Sequence, residues 1–416
     1  MVLRDIHQTS SKIGMLPIWL MAALLLIPGC GDGGGGGGFG GAGPAGLGAI
    51  GGVATTAIVY VTNSGSNNVS GYAINATTGG LSAVPGSPFT NVSAPSTIAV
   101  SSDGFFAFAA NSQSNNVTAF RVGMDGGLLS VSPTPSTPNP APVGTAPRAI
   151  AISQDAQFVY VANSRSDSVT VLSVGATGAL TRTPEADGTP NPVSAGGSSP
   201  AAIAISPSGR FLYVANSTSN TVTAFQIDAN GLLKLIPPTG PATNPIPVSG
   251  TVPTALAMTF TGQFLYTTNS ASDTVSVFQV ESNGLLTLVS SAGTGTNPVP
   301  IGGTSPDGIA VAPNGQFLYT ANGGGNVSAF SIGGNGLLTL VPSSGSSPNP
   351  IPAGTSPSAI TISQDGQFLY VANRGGGVSA YTVVSETGTL IPLTPLLGNP
   401  FPTGTAPSGI ATPSRL

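Results

Sequence analysis

Phe211-Leu212-Tyr213-Val214-Ala215-Asn216 is an apolar run of strand length that ends on asparagine, and the chain keeps returning to it. Its last four residues reappear as Tyr60-Val61-Thr62-Asn63, Phe108-Ala109-Ala110-Asn111, Tyr160-Val161-Ala162-Asn163, Tyr266-Thr267-Thr268-Asn269, Tyr319-Thr320-Ala321-Asn322 and Tyr370-Val371-Ala372-Asn373. Seven asparagines result, spaced 48, 52, 53, 53, 53 and 51 residues apart. A repeat of this length governs the reading of everything inside it.

One period holds four short apolar or alternating segments: Ala202 to Ser206, Phe211 to Ala215, Val222 to Ile227 and Leu232 to Ile236. Each has strand length and is bounded by turn residues. Pro207-Ser208-Gly209 joins the first two, with Asp103-Gly104 and Asp365-Gly366 at the equivalent turns, and Asp228-Ala229-Asn230-Gly231 joins the last two. These are the residues that tight hairpins demand. Four strands per period, repeated around a centre, predict an all-β, seven-bladed β-propeller with four antiparallel strands per blade. The first blade opens at its second strand, Ile58 to Thr62, and the chain ends on a lone copy of a first strand, Ser408 to Thr412. The C-terminal strand is therefore expected to join the first blade and close the ring, leaving no free sheet edge.

Between blades, the links repeat as Asn-Pro followed by Gly-Thr and a second Pro, as in Asn244-Pro245 to Pro253 and Asn349-Pro350 to Pro357. Proline pre-sets φ and lowers the entropy lost on ordering such loops. The asparagine after the second strand is expected to bond nearby backbone in an Asx-turn. The residue after each closing proline is expected at the channel mouth, giving a ring of Ser96, Arg148, Ala201, Thr254, Asp307, Ser358 and Ser408. Arg148 and Asp307 interrupt a small, neutral ring, three blade steps apart and nearly opposite each other. A repeat does not itself require charge at such positions, so the two are candidate catalytic residues. Arg165 and Arg374, in loops that follow Asn163 and Asn373, are candidate ligand-binding residues. Arginines on one face clamp carboxylate or phosphate through paired donors, and Arg148 with Arg165 is the pair the sequence favours. Asp167, Asp273 and the segment from Glu185 to Asp187 share that face and bring its field close to neutral.

Outward from the repeat, residues 1–29 read as an export signal: Arg4 and Lys12 precede an uncharged stretch from Ile13 to Gly29. Leu26-Ile27-Pro28-Gly29-Cys30 resembles the bacterial lipobox, which implies lipidation of Cys30, the only cysteine. An ordinary secretory signal with an incidental cysteine is the alternative. Residues 30–52 are mostly glycine and form a flexible tether, spanning on the order of 25 Å. Residues 53–416 make the propeller. Attachment to a membrane through lipid on Cys30 is expected, at the bacterial cell envelope on the outer-membrane or periplasmic side.

Beyond residue 29 there remain 8 basic and 13 acidic residues, with no basic patch, which argues against nucleic acid as a partner. The only histidine, His7, lies inside the signal. A Ser-His-Asp triad is thereby excluded, and so is a His- or Cys-based zinc site, leaving no metal and no cofactor expected.

The Tyr-Val-Ala-Asn phrase resembles the YVTN propeller repeat, and residues 53–416 resemble the seven-bladed lactonase family of the 6-phosphogluconolactonase-like type. That resemblance implies a histidine just after the mouth proline, with arginine and carboxylate nearby; no blade offers the histidine. On the missing histidine, the low charge and the membrane tether, the expected function is a non-catalytic binding or scaffold module, its partner an unknown envelope protein or a small carbohydrate-type ligand, and its state monomeric. The alternative is a lactone hydrolase acting on a sugar lactone, with Asp307 activating water and Arg148 facing the oxyanion.

Overall fold

Every period builds one antiparallel sheet whose strands run outward from a central axis in chain order. The fourth blade comprises Pro200–Ile205, Phe211–Asn216, Thr221–Ile227 and Leu233–Leu235. The structure, a computed structural model, describes residues 57–413 apart from 186–189, 240–242, 291–295, 344–346 and 394–398. Seven such sheets stand around the axis, and their innermost strands pack side by side as a closed ring. The C-terminal strand Pro407–Ala411 pairs with Ile58–Asn63, Val61 facing Ile410, and completes the first blade as expected. The proposed signal, Cys30 and most of the tether fall outside the described residues.

Five blades carry a further two-residue strand that alternation alone did not predict. Ile246–Pro247, for example, pairs with Thr221 and Val222. The preceding Asn244 explains it. Its Nδ2 donates to the carbonyls of Ala224 and Ile236, at 2.7 and 2.8 Å, and its Oδ1 accepts from the Ala224 amide at 2.9 Å. The side-chain amide thus stands in for a strand residue, which is why the link begins with asparagine.

The repeated asparagine corrects the Asx-turn expectation. Asn216 is fully buried, and its Nδ2 donates to the hydroxyls of Thr221 and Thr223, at 3.2 and 2.9 Å, on the neighbouring strand. It staples two strands through side chains. It also accounts for the glycine of the links: a Cβ on Gly354 would stand 2.6 Å from Cγ of Asn373.

Apolar packing is divided into wedges between adjacent blades. Phe211, Tyr213 and Val222 of the fourth blade meet Leu265 and Phe278 of the fifth in one of seven such clusters. Each wedge excludes water from side chains worth roughly 1.5–3 kcal/mol apiece. A hydrogen bond crosses most of them. Tyr213 donates to the carbonyl of Gly284 in the next blade at 3.0 Å, and Tyr60, Tyr266, Tyr319 and Tyr370 do the same to Gly126, Gly336, Gly388 and Gly79. Gly284 has φ +85°, and a Cβ there would lie 2.3 Å from the Phe211 ring, so glycine alone serves the turn.

Candidate functional site

At one end of the channel, the residue after each mouth proline does lie in a common ring, but most of its hydroxyls already have work. Ser408 donates to the carbonyl of Pro95 at 2.6 Å, Ser96 to Pro147 at 2.8 Å, Thr254 to Pro306 at 2.8 Å and Ser358 to Pro407 at 2.9 Å. Each bond ties an innermost strand to that of the next blade. Four of seven blade junctions carry this latch, and the three that do not are those where the ring position is Arg148, Ala201 or Asp307. The charged residues have displaced a structural bond.

All seven ring residues line a cavity of about 520 Å³ at this mouth, and Arg374 lines it with them. Arg374 Nη1 donates to Asp307 Oδ2 at 2.5 Å, an ion pair between the seventh and sixth blades. The pair leaves Asp307 Oδ1 without a hydrogen bond among the described residues. Arg148, across the mouth, keeps its guanidinium accessible to solvent while protein walls surround it. That enclosure lowers its pKa from the ordinary arginine value by desolvation; the field of Asp307 works against the shift and that of Arg374 adds to it. Arg148 therefore senses both partners of the ion pair. The two charges expected nearly opposite each other on the ring share one cavity with a third, Arg374.

Arg165 does not belong to this set. It is exposed in its loop and does not line the cavity. Asp167 and Asp273 are likewise taken up elsewhere. Both sit in the left-handed region, at φ 49° and 55°, and their carboxylates accept the backbone amides of Ser199 and Ser305 at 2.7 and 2.6 Å. Asn67, Asn115 and Asn220 make the same clasp to Ala94, Ala146 and Val252. Neither aspartate neutralises the mouth, whose cavity holds two guanidiniums against one carboxylate. Of the acidic segment, Glu185 is exposed and Asp187 falls outside the described residues.

Arg374, a ligand-binding candidate from the sequence, also stands out when the repeats are aligned. In five blades the residue after the buried asparagine is serine, as in Ser64 and Ser112, and its hydroxyl donates to a carbonyl of the adjoining link, Ala406 and Ala94 respectively. The sixth blade has Gly323 there, and the seventh has Arg374. Among the described residues there is no histidine, and no cluster of three or more His, Cys, Asp or Glu is placed to hold a metal ion.

The model of the seven-bladed β-propeller lactonase family matches residues 39–143, 130–302 and 302–396, which is most of the sequence. The chain belongs to that family. One relative, the 6-phosphogluconolactonase of Formosa agariphila, is 29% identical over 187 residues, an alignment covering 43% of this lactonase-family chain and 51% of the relative. The chain thus spans about half the length of this relative. A Bacteroides fragilis candidate 6-phosphogluconolactonase superposes with a TM-score of 0.65 at 21% identity, covering 86% of this chain and 98% of the other. The periplasmic gluconolactonase of Pseudomonas aeruginosa gives 0.63 at 21% identity, over 86% and 99%. At these identities the two solved structures share the fold. Membership of the lactonase family, together with the F. agariphila relative, overturns the expectation of a non-catalytic binding or scaffold module and favours the lactone-hydrolase alternative. The missing histidine, on which that expectation rested, does not empty the mouth of chemistry.

Proposed function

We propose that this chain hydrolyses lactones at the channel mouth, with Arg148, Asp307 and Arg374 as its working residues. The observation that carries the reading is their convergence on one cavity, two of them at ring positions where the structural latch has been given up. A cavity of about 520 Å³ accommodates a sugar-sized ring with its hydration. Arg374 holds one oxygen of Asp307 and leaves the other to take a proton from water. The resulting hydroxide adds to the lactone carbonyl. Negative charge moves to the carbonyl oxygen, where the Arg148 guanidinium donates to it; a donor so placed contributes several kcal/mol, because enclosure strengthens its field. Collapse of the tetrahedral intermediate breaks the ring C–O bond, and the departing alkoxide takes the proton from Asp307. The product is a hydroxy acid, which releases its carboxyl proton to solvent, and the excess guanidinium charge retains the resulting anion until exchange.

The test is hydrolysis of δ-gluconolactone by the purified protein, followed as acid release above the spontaneous rate. Turnover is expected, with loss in the Arg148→Ala, Asp307→Ala double variant. Turnover unchanged by the double variant would remove these residues from the mechanism, and no turnover of any lactone would remove the reading.

Export and anchoring belong to the same proposal. Arg4, Lys12, the uncharged stretch after them and the lipobox-like Leu26 to Cys30 support a periplasmic or outer-membrane site with lipid on Cys30, residues 30–52 acting as the tether and residues 53–416 as a monomeric propeller. Incorporation of labelled palmitate that disappears in Cys30→Ser is the expected result.

A further inference from the structure

The channel beneath the charged mouth is walled largely by apolar side chains. A second cavity, of about 440 Å³, opens toward the opposite face, and Ile203 and Leu256 wall both cavities. Below them Ile205 and Met258 present partly exposed side chains to it, and Phe260 at its rim is 56% exposed. All five belong to the fourth and fifth blades. Exposure along the channel varies from blade to blade: at the strand position of Ile203, Ile98, Ile309 and Ile360 are buried and Ile410 is partly exposed, and at that of Ile205, Ile152 and Val311 are partly exposed. The fourth and fifth blades are in register with the mouth. Arg148 stands on the third blade and Asp307 on the sixth, so the shorter arc between them runs over the fourth and fifth. A ring held between the two charges lies directly above the apolar wall, with Ala201, small and without a hydroxyl, at its edge.

We propose that the preferred substrates are amphiphilic lactones, whose ring sits at the mouth and whose alkyl or acyl chain descends along the fourth and fifth blades. The inference rests on the lactonase reading above and names its substrate class. From Ala201 to Ile205 the innermost strand advances about 13 Å, which gives the depth available to a chain. A bare polyol would place hydroxyls against this wall with nothing to bond them, whereas methylenes there leave water at no polar cost. Phe260 takes a rim position that is Gln154 in the third blade and Pro207 in the fourth, and it extends the apolar surface to the far opening.

The experiment measures kcat/KM on γ-valerolactone, γ-octalactone and γ-decalactone, together with calorimetric binding of butanoate and decanoate, for the full chain and for Phe260→Ala and Met258→Ala. Expected is a rise in kcat/KM of up to about fourfold per added methylene, the equivalent of roughly 0.8 kcal/mol per buried CH₂. Both variants should lose most of that gain and leave γ-valerolactone unchanged. Phe260 is exposed, so its truncation does not threaten folding. Equal rates along the series, with γ-valerolactone turned over, overturn the inference and leave the lactonase reading standing. If no lactone is turned over, the binding series decides separately. Decanoate held more tightly than butanoate, with the difference lost in Phe260→Ala, supports the chain site without the reaction, and equal binding overturns it.

Discussion

The junction between the seventh and first blades and the junction between the third and fourth are built from the same repeat, yet they are bonded differently. At the first of these, where the chain passes from the seventh blade into its C-terminal strand, Ser358 donates to Pro407 at 2.9 Å and Tyr370 donates to Gly79 at 2.9 Å. At the other, Arg148 replaces the serine, and Tyr160, though fully buried, has a hydroxyl with no partner among the described residues. One junction is cross-linked at the mouth and in its wedge; the other lacks both of these bonds and is joined instead by apolar packing, by the Asp167 clasp on Ser199 and by the Gln154 amide donating to the Pro207 carbonyl. A closed ring tolerates this because each blade is held on two sides and the burden is shared among seven wedges. A side chain at the mouth can therefore be exchanged for chemistry without opening the propeller. The seam between the termini lies inside the first blade, where Pro407–Ala411 pairs with Ile58–Asn63 and the strand ladder closes it.

The largest expected contrast is in activity. Asp307→Asn should lower lactone turnover by about a hundred- to ten-thousand-fold, the usual worth of a positioned general base. Arg148→Ala should follow with a loss of about a hundred- to thousand-fold, falling on kcat more than on KM because the oxyanion appears only in the transition state. Ser358→Ala, at the same ring position, should leave turnover unchanged. Steady-state kinetics on the three variants would break the comparison if Ser358→Ala proved as damaging as the charged pair.

Much of this architecture can be read without coordinates, because the repeat writes it seven times. Asn216 and its counterparts count the blades, and the orphan strand at Pro407–Ala411 announces closure. Arg148 and Asp307 are visible for the same reason, as interruptions of a regular ring. What escapes is whatever depends on the third dimension. Arg374 lies 67 residues from Asp307, and only the approach of the sixth and seventh blades joins them. Arg165 attracts notice by its charge and its nearness to Arg148 in sequence, but its loop turns it to solvent. Asp167 and Asp273 look like site carboxylates and are loop clasps, a role betrayed only by the asparagines that fill the same position in other blades. Exposure along the channel is likewise hidden, since Ile203 and Ile360 are the same residue at the same repeat position and differ only in burial.

The wedge bonds should separate the two junctions next. Tyr370→Phe removes a satisfied hydroxyl and strands the Gly79 carbonyl, at a cost of about 1–2 kcal/mol. Tyr160→Phe removes a buried hydroxyl that bonds nothing, and should be neutral or stabilising by up to about 1 kcal/mol. Urea-unfolding midpoints compare them directly. A Tyr160→Phe loss as large as that of Tyr370→Phe would mean that the third and fourth blades are joined by a bond of the same kind.

The smallest effect tests whether the mouth position serves one purpose at the expense of the other. Ser358→Ala should cost about 0.5–1.5 kcal/mol, the net value of one hydrogen bond between strands already packed together. Arg148→Ser makes the reverse exchange. The new hydroxyl has the strand geometry that lets Ser96 reach Pro147, and its counterpart acceptor is the carbonyl of Pro200. The arginine's desolvation, which already pulls its pKa down, is relieved at the same time. Stability should rise by about 0.5–1 kcal/mol while lactone turnover falls with that of Arg148→Ala, the trade expected where a working residue occupies a structural place. A variant that lost activity and stability together would show that Arg148 supports the third junction in its own right, and the two junctions would then differ in the kind of bond they use instead of in its presence.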